Sequence, residues 1–340
     1  MLLVVGCGNS STTPPPASTP DASTSTPAEP AAPKEPVYIE CGGAGNTTFV
    51  YSALVAMAEA INGTSDFVNI NVQTTSGTTS HYQMIADGLV QMASGTGFSD
   101  NQAWNGKGLV YTTPMQNQCT ILVYSLNFQS IFVPEKSPVQ DVMDLEGKKV
   151  GVGAAGTPSA DVALGTLRAL GFEDGKNITI VYSTVGDAVE MYKDGNLDAI
   201  VFCNAAGSAG IVDATTTVAS RWISLTEEQR TTVLNGELKG MNAPDVLKHE
   251  HFANIPEGTE IQTINDHGSL NVTLDMEDDV VTEILTIYWD QYKTIKESLS
   301  GLNGTPESIL LATTYVHPAA AKYYKDVWNI EVPAEKILPR

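Results

Sequence analysis

Positive charge is what this 340-residue chain has least of: Lys and Arg total 18 against 39 Asp and Glu, a net charge of −21. Arginine occurs only at Arg168, Arg221, Arg230 and Arg340. A phosphate backbone needs a basic stripe, so nucleic acid is excluded as a partner. No stretch reaches the roughly 18 consecutive apolar residues of a membrane span, so the body is expected to be soluble. Cysteine is scarce too. Beyond Cys7 there are only Cys41, Cys119 and Cys203. Three at wide spacing make neither a disulfide framework nor the short Cys-x-x-Cys pairs of a zinc site. They read as small buried hydrophobes. Also missing are a Gly-x-Ser-x-Gly elbow, a His-Glu-x-x-His pair and a Walker loop, which leaves a hydrolase with little support. His317 precedes Pro318, but no nucleophile accompanies it. His249-Glu250-His251 places its imidazoles at i and i+2, which do not share a helix face. It reads as a solvated loop, and no metal site is expected.

The front of the chain has the opposite bias. Val4-Val5-Gly6-Cys7 fits a bacterial lipobox, in which Cys7 becomes the lipidated first residue. Residues 1–7 then read as the tail of a lipoprotein signal peptide. A complete signal needs a basic segment and a longer apolar run, so an upstream start is expected. Residues 8–36 are mostly Ser, Thr, Pro, Ala and Gly. They cannot bury enough surface to offset their ordering entropy and read as a disordered tether. A lipid anchor and an extracytoplasmic location follow. Free dinucleotide pools are cytoplasmic, so this location already argues against a nicotinamide enzyme.

The body repeats one unit, strand then glycine turn then helix. Val37–Cys41 runs into Gly42-Gly43-Ala44-Gly45-Asn46 and a helix with Val50, Leu54, Met57 and Ile61 on one face. A strand at 68–74 runs through Thr75-Ser76-Gly77 into a second helix. An apolar run leads to Gly151-x-Gly153-x-x-Gly156, with Thr157 as N-cap, Pro158 at N1 and Gly171 past the end. The run at 197–203 ends in Asn204-Ala205-Ala206-Gly207. Strands alternating with helices predict parallel sheet covered on both faces.

The Gly-x-Gly-x-x-Gly turn has the spacing of a dinucleotide loop. That reading needs a carboxylate at the end of the next strand. The next strand, 178–184, ends Tyr182-Ser183-Thr184 instead, so no cofactor is expected. A helix start at a sheet's carboxyl edge still offers N–H groups to an anion. Gly156, Thr157, Ser159 and Ala160 are the expected donors. The run 118–125 has no glycine turn after it and suits a crossing between two lobes. The run 220–226 suits the return. The expected organisation is lobe one at 37–124, lobe two at 125–225, and a return to lobe one with C-terminal helices at 226–340.

In order over about 37–328 stand Gly42-Gly43-Ala44-Gly45-Asn46-Thr47, Gln73-Thr74-Thr75-Ser76-Gly77, Ser99-Asp100, the strand–turn–helix stretch 145–163, the segment 188–202, and the stretch 317–328 that opens His317-Pro318. Together they resemble one family, the TAXI-type solute-binding proteins of TRAP transporters. The chain departs from the family pattern at Thr48-Phe49-Val50 and at Ser76. The resemblance implies a type II periplasmic-binding-protein-like α/β fold, two lobes joined by a hinge with the ligand cleft between them. It implies a monomeric receptor that captures a small organic acid or amino acid and hands it to TRAP-type permease subunits. The candidate ligand-binding residues are Gly43, Ala44, Gly45, Asn46, Thr47, Phe49, Tyr51, Thr75, Ser76, Gly77, Phe98 and Ser99 on lobe one. On lobe two they are Gly156, Thr157, Ser159, Asn204, Ala205 and Ala206. Two alternatives stay open. Phe49 and Tyr51 could be core, and the glycine turns could serve only tight strand–helix geometry. A ligand-sensing lipoprotein without a transport role would look the same.

Overall fold

Apolar strands joined by glycine turns build one mixed sheet. The computed structural model describes residues 1–6, 8, 34–46, 48–107, 111–240, 242–299 and 301–339. Cys7, residues 9–33 of the tether and Thr47 lie outside them. Met1–Lys34 form one unit and Glu35–Arg340 another. In the second unit the order opens β1 (Val37–Gly42), α1 (Phe49–Asn62), β2 (Val68–Gln73), α2 (Thr78–Ala86), β3 (Met92–Thr96), α3 (Gly97–Asn105) and β4 (Gln118–Pro134). It continues β5 (Lys149–Val152), α4 (Pro158–Ala169), β6 (Thr179–Val181), α5 (Val185–Lys193), β7 (Ala199–Ala205), α6 (Ala209–Thr217) and β8 (Ser220–Trp222). It closes with α7 (Glu227–Asn235), β9 (Ala243–Leu247), β10 (Ile261–Thr273), α8 (Asp278–Ser298) and α9 (Pro318–Trp328).

The strand order is β2-β1-β3-β10-β4-β7-β5-β6, with β8 on β4 and β9 on β10. Parallel β1, β2 and β3 form the first lobe's sheet, and parallel β5, β6 and β7 the second's. Each lobe has its own core. Leu54, Met57 and Ile61 of α1 pack with Tyr288 of α8 and Tyr324 of α9 in the first. Val150, Val152 and Val201 pack with Leu167 of α4 in the second.

Among the described residues only β4 and β10 belong to both lobes. At about 3.3 Å per residue, the 17 residues of β4 span roughly 55 Å, enough to cross the molecule. It pairs with β10 from Gln118 as far as Phe128↔Asn265, and from Asn127↔Ala205 onward it pairs with β7 on its other side. The sequence reading expects the return crossing at 220–226, and here the structure differs. Residues 220–222 pair with the far end of β4, at Phe132–Pro134. The chain then stays with the second lobe, where Leu238 packs on Val162 and His251 lies 4.5 Å from the Phe128 ring. The return is β10. Its polar run Asn265-Asp266-His267-Gly268-Ser269 conceals a buried strand, because Asn265, Asp266 and Ser269 find hydrogen-bond partners instead of water, while His267 Nε2 is buried with none among the described residues. The 249–251 stretch is likewise no free loop. His251 accepts from the Lys248 N–H and His249 donates to the Ile255 carbonyl.

The crossing is tightly specified. Asn303 binds both backbone groups of Leu126, accepting its N–H at 2.6 Å and donating to its carbonyl at 3.3 Å. The Gly304 N–H donates to the Tyr124 carbonyl at 3.0 Å. β4 and β10 slip register beside Gly268. A Cβ on Gly268 would overlap Ser125 Oγ and press on the Tyr124 ring at 3.2 Å. Gly268→Ala should therefore lose about 1–3 kcal/mol by overpacking, read as a lower urea midpoint. Adding Ser125→Gly, which removes the overlapped atom, should recover part of the loss.

Candidate functional site

The turns after β1 and β2 are bonded to each other. Gly43 N–H donates to the Gln73 carbonyl at 3.0 Å and Thr75 N–H to the Ala44 carbonyl at 3.0 Å. Ala44 N–H donates to Thr75 Oγ1 at 3.1 Å. Ala44 itself sits in the left-handed region, φ 64, a conformation that costs a residue with a Cβ roughly 1–2 kcal/mol. Gly43 has no room for a side chain, since a Cβ would stand 2.6 Å from Val72 Cγ1 and 2.9 Å from the Tyr51 ring. Tyr51 therefore packs on the loop backbone. Phe49 packs on Gly301 and the first-lobe core. Both remain half-buried, and Gly45 and Ser76 are outward positions. Asn46 is exposed, and Gly77 turns into α2 with φ 131. At the start of α2 the N–H groups of Thr78 and Thr79 have no partner among the described residues.

The second-lobe turn is built differently. Thr157 caps α4, accepting from Ala160 N–H at 3.4 Å and donating to the Ala154 carbonyl at 2.7 Å. Thr157 N–H is also taken by Ala154. Of the four expected donors, only Gly156 and Ser159 keep N–H groups without a partner among the described residues. Ser159 Oγ accepts the Cys203 N–H at 3.1 Å, which ties this turn to the end of β7. Next to it, Asn204 Nδ2 is buried without a partner. Ala205 is half-buried, and Ala206 is packed in the second-lobe core.

Phe98 and Ser99 are both about 5 % exposed and do not open to solvent in this conformation. Phe98 reaches from α3 into a cluster with Val162, Cys203 and Ile264, so it joins the lobes. Ser99 N–H is bonded to Thr96 Oγ1. The carboxyl ends of β3 and β7 are brought to the same stretch of the crossing, Thr96 opposite Gly268 and Ala205 opposite Asn127. None of residues 42–49, 74–79, 97–99, 153–160 and 204–210 is charged. These turns offer N–H groups, hydroxyls and small apolar surface, a chemistry of binding. Asp174, at the distance a ribose ligand would need, is engaged with Ile180 N–H at 2.9 Å. His317 is the N-cap of α9, accepting from Ala319 N–H and donating to the Met276 carbonyl.

A family model described as NMT1-like matches residues 39–327. The chain belongs to the NMT1-like family. No curated protein matches it. Among solved structures, a TctC solute-binding protein from Polaromonas is similar with a TM-score of 0.54 at 13% identity, over 88% of this chain and 99% of that one. MatC from Rhodopseudomonas palustris with bound malate has a TM-score of 0.52 at 12% identity, covering 86% and 98%. The periplasmic sulfonate-binding protein SsuA from Methylobacillus flagellatus KT has a TM-score of 0.52 at 10% identity, covering 90% and 92%. At such identities the likeness establishes the fold, the two-lobed α/β architecture of periplasmic solute-binding proteins.

In this NMT1-like chain two buried acids sit near the crossing, Asp266 and Asp100, neither of which the sequence reading named as a ligand-binding residue. Asp266 accepts from the N–H groups of Phe98 at 3.1 Å and His267 at 3.0 Å. Burial pushes it up to about 7. Asp100 accepts from Tyr82 Oη at 2.8 Å, Asn271 Nδ2 at 2.7 Å and Ser269 Oγ, and burial holds it near about 6. The neighbouring His267 is pushed down to about 4 by burial, with Lys336 adding to the effect. The signs oppose. An acid with a raised native pKa keeps its proton when the unfolded chain has lost it, so its contribution fades as pH rises from about 4 to about 7. A histidine with a lowered pKa loses stability as pH falls below about 6.5. Asp266→Asn keeps an oxygen for both N–H groups and removes the ionisation. Its stability relative to the parent, from urea unfolding, should improve from pH 5 to about pH 7 and level off above that. A pH-independent difference would contradict the assignment.

Proposed function

We propose that the chain is an extracytoplasmic, lipid-anchored solute-binding protein of the TAXI type. It captures a small carboxylate between its lobes and delivers it to a TRAP-type permease. The observation that carries this reading is the set of uncharged turns at the carboxyl strand ends of both lobes, with unpartnered N–H groups at Thr78, Thr79, Gly156 and Ser159. Such groups at helix starts favour an anion. One terminus contributes only roughly 0.3–1 kcal/mol, whereas micromolar affinity needs about 8 kcal/mol. A solute must therefore engage both lobes, and its differential affinity favours the closed form. The hinge is the β4–β10 pair. The malate carried by MatC, a protein of the same fold, agrees with a carboxylate.

A thermal-shift screen of L-glutamate, L-malate and other amino and keto acids tests the reading. At a hundred times the dissociation constant a true solute adds about 2.7 kcal/mol, visible as a rise in Tm. Gly156 is exposed and left-handed, φ 76, with nothing within 4 Å of an added Cβ. Gly156→Asp should fold and lose the shift, because a carboxylate would then compete with the solute at the same N–H groups. A variant that binds as tightly as the parent would remove this turn from the site. If only neutral or cationic solutes raise Tm, the carboxylate assignment fails.

Anchoring is a separate matter. Expressed with a complete signal, Cys7→Ser should leave the membrane fraction, since acyl chains contribute about 0.8 kcal/mol per buried CH₂. Unchanged fractionation by immunoblot would end the lipobox reading.

A further inference from the structure

The turns after β1 and β2 share one acceptor, the Thr75 hydroxyl, and behind it lies a histidine that the sequence reading passed over. His81, on α2, is 1 % exposed. Its ring rests on Gly42, where a Cβ would stand 3.0 Å from Cδ2. Nδ1 is 2.8 Å from the Ser94 carbonyl. A carbonyl only accepts, so Nδ1 carries the ring proton. Nε2 is then an acceptor, and the Thr75 hydroxyl 2.7 Å away is its donor. Burial pushes the His81 pKa down, in keeping with a neutral ring. A hydroxyl has one proton and two acceptor positions. With the proton committed to His81, both acceptor positions face the turns, toward Ala44 N–H at 3.1 Å and Gly77 N–H at 3.4 Å.

We propose that His81 is a positioning residue of the solute site. By taking the Thr75 proton it aims the hydroxyl oxygen at both turns and holds them in binding geometry. The inference rests on the solute-site reading above. Without an acceptor at Nε2 the hydroxyl turns its proton elsewhere, and one of the two N–H groups loses its partner. Ala44 is the exposed weakness. Its left-handed backbone is held by two bonds, and both go to Thr75.

A double-mutant cycle tests this, with Thr75→Val, His81→Phe and the pair, and Thr75→Ser as the conservative rescue. Two readouts are taken: amide hydrogen exchange at Ala44 and Gly77 in the free protein, and L-glutamate affinity by calorimetry. Thr75→Val should speed exchange at both amides and His81→Phe at one of them at least, and each should weaken L-glutamate by about ten-fold, the size of one hydrogen bond. The double variant should be no worse than either single one, and Thr75→Ser should match the parent. If His81→Phe does not fold, His81→Asn serves. Its amide can still donate to the Ser94 carbonyl but has no atom in the place of Nε2, and it should show the same losses. Unchanged exchange in the His81 variants, or losses that multiply in the double variant, would overturn the proposal. If the parent does not bind L-glutamate, the carboxylate reading is what fails, and the exchange data alone then decide the role of His81.

Discussion

Two antiparallel strands, β4 and β10, are shared by the lobes, and the molecule is organised around that constraint. A strand that crosses two cores must keep its own hydrogen bonds satisfied along the way. β4 does so by changing partners, from β10 alone in the first lobe to β10 and β7 in the second. The change falls at Ser125–Asn127, and close packing lies there too. Gly268 admits no Cβ, Phe98 bridges to the second lobe, and Asp266 collects two backbone N–H groups.

The distribution of charge follows from the same plan. The turns that face the proposed solute have no ionised side chain, whereas the acids nearest the crossing are buried and hydrogen-bonded. A carboxylate entering such a cleft meets fixed backbone dipoles and not mobile cations. These dipoles are held by the fold itself, through Thr157 capping α4 and Thr75 linking two turns. Discrimination among solutes then rests on shape and on the count of N–H groups reached.

The strand–turn–helix units were legible in the sequence because periodicity and glycine act locally. Val37–Gly42, α1 with its Leu54–Met57–Ile61 face, and α4 with Thr157 and Pro158 at its start all follow the pattern. The return strand was not legible, because burial of Asn265, Asp266 and Ser269 depends on partners far away in the chain. Thr157 and Ala160 were read as donors to a ligand. Their N–H groups go to the Ala154 carbonyl and to Thr157 Oγ1 instead, which shows how a cap consumes part of what a helix start offers. His81 left a faint signal: a polar residue beside Tyr82 and Ile85 on the buried face of a short helix. The bond that gives it meaning, to Thr75 Oγ1, joins residues only six apart but depends on Ser94 to fix the tautomer.

Asn303 has a consequence for the protein's behaviour at high concentration. On the side of β4 away from β10, β7 begins its pairing only at Asn127. Before that point the backbone would present an open edge. The Thr120 carbonyl is taken by His317, the Tyr124 carbonyl by Gly304, and both groups of Leu126 by Asn303. An unpaired edge is a template on which another chain can add a strand. Here the loop from 303 to 317 occupies that template, so a sheet that must flex at its middle does so without offering its edge to a neighbour.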